Sequence, residues 1–96
     1  MHPHQVDRER VKRLTDLPNV GPSIAKDLGL LGIDCPRQLR GRCPIELYRA
    51  LCSITGMRQD PCVLDVFMSV TDFVDGGTAQ VWWAYTPLRK SRYGVL

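Results

Sequence analysis

Proline is the punctuation that most constrains this chain: Gly21-Pro22, Cys35-Pro36, Cys43-Pro44, Asp60-Pro61 and Thr86-Pro87 each place a proline after a residue suited to end a loop. Proline at the first helical position loses no intrahelical bond, and Asp60 and Thr86 are good N-caps, so each pair predicts a helix start. Gly32 and Gly56 supply the matching stops after Leu30-Leu31 and Ile54-Thr55. The resulting helices are expected near 7–14, 22–31, 36–40, 44–55, 61–74 and 87–93. Periodicity supports the longest, because Val63, Val66, Phe67, Val70, Phe73 and Val74 recur at steps of three and four and form an apolar stripe. Tyr48, Leu51, Cys52 and Thr55 do the same on the preceding helix, and the two should pair across the short connection 56–60. Ile24, Leu28 and Leu31 give the helix at 22–31, the second of the hairpin, its inner face, with Lys26 and Asp27 outside. The chain reads as all-α, apart from an extended strip at 79–83.

At 96 residues the chain is long enough for one modest core and too short for two. The expected organisation is a single domain over 1–96, with a flexible start at 1–6 and a Trp-rich C-terminal arm at 76–96. Apolar residues make up 44% and charged residues 24%, ordinary for a globular chain, and the longest apolar run is far short of a membrane span. Met1-His2-Pro3-His4 leads directly into the charged Asp7-Arg8-Glu9-Arg10, unlike a signal peptide, so the expected location is the cytoplasm. The net charge of +3 is unevenly spread. Between 59 and 76 stand Asp60, Asp65, Asp72 and Asp75 with no basic residue, whereas 77–96 holds Arg89, Lys90 and Arg92 with no acid.

The stretch from Leu17 to Leu28, reading Leu-Pro-Asn-Val-Gly-Pro-Ser-Ile-Ala-Lys-Asp-Leu, carries the functional signal. Gly21 lets the backbone approach a ligand closely, Pro22 opens the helix, and the N–H groups behind it stand at the positive end of the helix dipole. The pattern resembles the helix-hairpin-helix motif of DNA polymerases, glycosylases and ligases. In that motif the hairpin reads hydrophobic-Pro-Gly-hydrophobic-Gly-Pro, and Asn19 here stands where the first glycine is usual. Asn tolerates positive φ better than any other non-glycine residue, so the turn is expected to form.

Carried over by position, the resemblance implies that the amides of Asn19, Gly21, Ser23 and Ile24 face DNA phosphates, with Lys26 and nearby arginines adding charge. It also implies that the carbonyls of Thr15, Leu17 and Val20 hold a monovalent cation, Na+ or K+. Contact with the backbone alone would give little sequence preference and strong salt dependence. A plain helix connection, serving to dock a protein, is the competing reading of the same residues. The second connection, 55–61, lacks the signature and is assigned no phosphate site.

Cys35, Cys43, Cys52 and Cys62 lack the short spacing of zinc or cluster ligands and are expected to be small apolar core residues. Both histidines, His2 and His4, lie in the N-terminal tail, far in sequence from any nucleophile. Asp65 and Asp72 are expected on one solvated helix face, and a Schiff-base lysine has no surrounding signature. The chain is therefore expected not to be an enzyme. Trp82 and Trp83 are expected to divide between core and rim, leaving one for a partner.

Three motifs together, Leu17–Pro22, Asp60–Asp65 and Trp82–Pro87 with Arg89-Lys90, are similar to a family of small bacterial proteins labelled "pathogenicity locus", some of them called mitomycin-resistance proteins. The resemblance covers roughly residues 12 to 91. It implies a small helix-hairpin-helix, SAM-like bundle of about five helices with presumed DNA association, related in shape to the C-terminal domain of a bacterial competence regulator. Two functions follow as alternatives. One is a module holding the DNA backbone without sequence specificity. The other is a helical protein-interaction module, binding a partner or a second copy of itself through the Trp-rich segment or the acidic 60–75 helix.

Overall fold

A computed structural model describes residues 1–96 and contains no strand. Four α-helices, α1 (Pro22–Leu30), α2 (Pro44–Thr55), α3 (Pro61–Val74) and α4 (Thr86–Tyr93), are joined by loops and short 3-10 turns. Proline occupies one of the first two positions in all four. Gly32 and Gly56 adopt φ of 79° and 66° just past α1 and α2. In each case a backbone bond closes the helix end, from Ile33 N–H to the Leu28 carbonyl and from Met57 N–H to the Cys52 carbonyl. A side chain at either glycine would strain that left-handed stop.

The core is built around α3, which packs against α2, α4 and the turns Pro36–Leu39 and Trp82–Tyr85. Its expected stripe is there: Val66, Phe67, Val70 and Phe73 are buried, with Val63 and Val74 packed at the margin. Leu64, Asp65, Met68, Ser69 and Thr71 are buried as well, so α3 is covered on nearly all sides. The two hydroxyls satisfy themselves locally, with Ser69 donating to the Val66 carbonyl and Thr71 to the Phe67 carbonyl. Leu28 anchors α1 in the core, and Ile24 and Leu31 pack partly against it.

Several expected elements take other forms. In place of a helix over 7–14 there are two 3-10 turns, Arg8–Arg10 and Leu14–Asp16. Asp16 causes this break, because its carboxylate accepts the amides of Lys12 and Arg13 that a helix would have used, while Asp7 caps only the short turn through the Glu9 amide. Residues 36–39 form a 3-10 turn, and 79–83 are not a strip, since Trp82–Tyr85 coil into a 3-10 turn that feeds α4. Thr86 is the first residue of α4 rather than its cap. Its hydroxyl donates to Asp65 instead, at 2.7 Å.

The start of the chain, expected to be frayed, lies folded against the hairpin, with Pro3 buried and Val6 packed on the core. Arg8 reaches the far end of α3, where its guanidinium lies 3.9 Å from the centre of the Phe73 ring and donates to the carbonyls of Phe73 and Gly77. The Phe73 carbonyl is in the last turn of α3, where a cation is favourable, and that of Gly77 lies just beyond the helix.

Candidate nucleic-acid interface

The segment from Leu17 to α1 folds as the tight hairpin its sequence predicts. Asn19 stands at φ 66°, the conformation for which glycine is usual. Leu17, Pro18 and Val20 are buried and fix the hairpin to the core. Pro22 has no N–H, and the amides of Gly21, Ser23 and Ile24 donate to no group of the protein. They are the unpaired donors at the positive end of α1. Lys26, one turn beyond Pro22 and Ser23 and exposed like them, makes no ion pair.

Asn19 does not belong to that donor set, contrary to the expectation. Its amide donates to the Met1 carbonyl at 2.7 Å. Its side chain donates to the Ser69 hydroxyl at 3.0 Å and to the Gln80 carbonyl at 2.8 Å. Where glycine would only permit the turn, Asn19 ties it to α3 and to the C-terminal arm. A polar side chain at a glycine position was the available sign of such a tie.

The carbonyls named for a monovalent cation converge in part. The Met1 ammonium donates to Val20 at 2.7 Å and Leu17 at 3.2 Å, while the Thr15 carbonyl takes no part. Leu17 and Val20 therefore suit a monocation, and a positive group of the chain itself is seated on them. Burial pulls the pKa of that amine below its ordinary value, and the charge of Asp16 works in the opposite direction. A Na+ or K+ ion at these carbonyls would have to displace it.

Beside the hairpin lies a cleft of about 380 Å3, walled by Met1, His2 and Pro3 on one side and Val81, Trp82 and Trp83 on the other, with Asn19 and Gly21 also lining it. Trp82 is half-buried and packs on the core, while Trp83 is 58% exposed. The two indoles meet edge to face, with centroids 5.5 Å apart. The expected division between core and rim holds, although a 3-10 turn produces it rather than strand alternation.

Of the two acids expected on a solvated face, Asp72 is exposed and Asp65 is buried, and both fasten the C-terminal arm. Asp65 is fully buried and pairs with Arg89, whose Nε lies 2.8 Å from Oδ1, while Thr86 donates to the other oxygen. The Asp65 hydrogen bond raises the pKa of Arg89 further. Asp72 accepts from the Tyr85 hydroxyl at 2.6 Å, and burial followed by that bond pushes the tyrosine well above its usual range. Asp75 accepts the Gly41 amide, and Asp60 caps α3 through Cys62 N–H.

The four cysteines are free and half-buried rather than enclosed, and no three or more His, Cys, Asp or Glu side chains gather as metal ligands would. The largest cleft, about 630 Å3, shares no residue with the hairpin cleft. Three of its polar side chains are engaged within the chain: Tyr48 donates to the Gln59 carbonyl, Cys52 accepts from Gln59 N–H, and Arg58 donates to the Leu96 carbonyl. No helix is long and apolar enough to cross a membrane.

Residues 7–91 match the family described as Cdd1, Pathogenicity locus. The chain belongs to that family. It is also 48% identical over 77 residues to a protein of Streptomyces lavendulae named mitomycin resistance protein McrB, an alignment covering 80% of this chain and 73% of the relative. No solved structure matches it significantly. The matched region takes in the hairpin, the core helix α3 and the tryptophan arm.

Proposed function

We propose that the protein is a non-enzymatic DNA-binding module that grips the sugar–phosphate backbone through its hairpin, with little regard to sequence, in the cytoplasm. The unpaired amides of Gly21, Ser23 and Ile24 at the head of α1 carry this reading. A phosphate placed there would receive directed N–H donors together with the helix dipole, and exposed Lys26 adds a mobile charge on the same side. No base edge is read by such contacts. Asn19 takes no direct part, and its role is to hold the turn open. The competing protein-interaction reading is the weaker on the acidic helix, because Asp65 is buried and the exposed Asp72, Asp75 and Asp60 already accept hydrogen bonds within the chain. It keeps the exposed Trp83. The name of the Streptomyces lavendulae relative offers mitomycin resistance as the setting in which such a module would work.

Gly21→Glu tests the reading. A Cβ at Gly21 meets no atom within 4 Å and its φ is an ordinary −100°, so the variant should fold while placing a carboxylate at the anion site. Fluorescence anisotropy on labelled DNA is the assay. If about two or three phosphates are neutralised, affinity should fall about ten- to fortyfold between about 50 and 200 mM salt. Gly21→Glu should weaken binding at least about tenfold at the lower salt, and unchanged binding by a folded variant would refute the proposal.

A further inference from the structure

We infer that the cleft between Trp83 and the hairpin receives an unstacked nucleobase, so that the preferred ligand is DNA with unpaired bases rather than intact duplex. This rests on the backbone-gripping reading above and names the form of DNA that the same site takes. Trp83 leaves 58% of its surface to solvent although it stands within a fastened arm. Its turn is held to α3 by Tyr85 on Asp72, and the helix that follows by Thr86 and Arg89 on Asp65. The indole is thus held by its surroundings, and Trp82 braces its edge. An aromatic face presented in this way binds bases of any identity by stacking.

The neighbours of the cleft favour a nucleotide over an apolar peptide. No acidic residue lines it, whereas Met1 and His2 do. Gly21 lines the same cleft and caps the helix whose amides are unpaired. Base and phosphate of one strand would therefore meet adjacent surfaces of one site. At about 380 Å3 the cleft falls within the range of small-ligand sites, whereas a paired and stacked base offers no free face to an indole.

The experiment compares three labelled probes of equal length: a single strand, a duplex, and an abasic single strand that keeps the phosphates and lacks the bases. Wild type should bind the base-containing single strand most tightly. Trp83→Ala should weaken that probe about 5- to 150-fold, the usual span for losing one aromatic stacking partner, and leave the duplex and abasic probes within about twofold. Trp83→Phe should restore part of the loss. In a Trp82→Phe background, the base-containing strand should quench the remaining tryptophan fluorescence and the abasic strand should not.

If Trp83→Ala leaves the single strand unaffected, or weakens all three probes alike, the base site is overturned while backbone binding stands. Abasic binding that survives Gly21→Glu overturns the backbone reading instead. A wild type that binds none of the probes overturns both.

Discussion

Removing the arginine from the buried Asp65–Arg89 pair should cost more than any surface change on this molecule. The Asp65 side chain is 1% exposed and that of Arg89 12%, and the pair is closed at 2.8 Å. In Arg89→Met the carboxylate would keep only the Thr86 hydroxyl as a side-chain partner. Breaking one side of a buried pair typically costs about 3–5 kcal/mol, most of it the penalty of stranding the remaining charge. At roughly 0.05–0.15 kcal/mol per residue, a chain of 96 residues has about 5–14 kcal/mol of stability in total. The loss is then about a fifth of the whole or more, and the thermal midpoint should fall by about 12–40 °C. Because α4 and the tryptophan turn dock on α3 through this pair and the Tyr85–Asp72 bond, Trp83 should also become mobile, which fluorescence anisotropy of the indoles would register. The double variant Asp65→Leu/Arg89→Met removes both charges and should recover about 2 kcal/mol or more of the loss. Urea denaturation of the two single variants and the double variant closes the cycle. A loss below about 1 kcal/mol for Arg89→Met, or strict additivity, would refute the account of the pair as a buried fastening.

Two further outcomes follow from the same geometry. Asn19→Ala should destabilise the fold by about 1–3 kcal/mol in urea denaturation, since alanine pays for φ 66° and leaves Gln80 without its donor; Asn19→Gly should cost less, because glycine accepts that φ. Tyr85 holds its proton more tightly folded than unfolded, so its stabilisation is complete below about pH 10 and is lost as the pH rises beyond it. Tyr85→Phe should flatten that alkaline decline in a pH series of thermal melts.

The amino-acid sequence by itself determined the all-α class, the four proline starts, the glycine stops at 32 and 56, and the hairpin from Leu17 to Gly21. These are legible because each depends on φ restrictions, missing N–H groups or local periodicity, which act within a few residues of chain. The family was legible for a similar reason, since short contiguous motifs carry it.

The partners of polar groups distant in sequence came only with the packing of the helices. Nothing local distinguishes Asp65, buried and paired with a residue 24 positions away, from an acid on a wet helix face. The helix expected at 7–14 failed because Asp16 took the amides of Lys12 and Arg13, and the N-terminal segment was fastened by carbonyls that the hairpin exposes. Asn19 passed from candidate phosphate donor to structural tie because its partners, Met1, Ser69 and Gln80, come from three separate parts of the chain. A hydrogen bond needs its partner within about 3 Å, and which residues come that close is decided when helices pack.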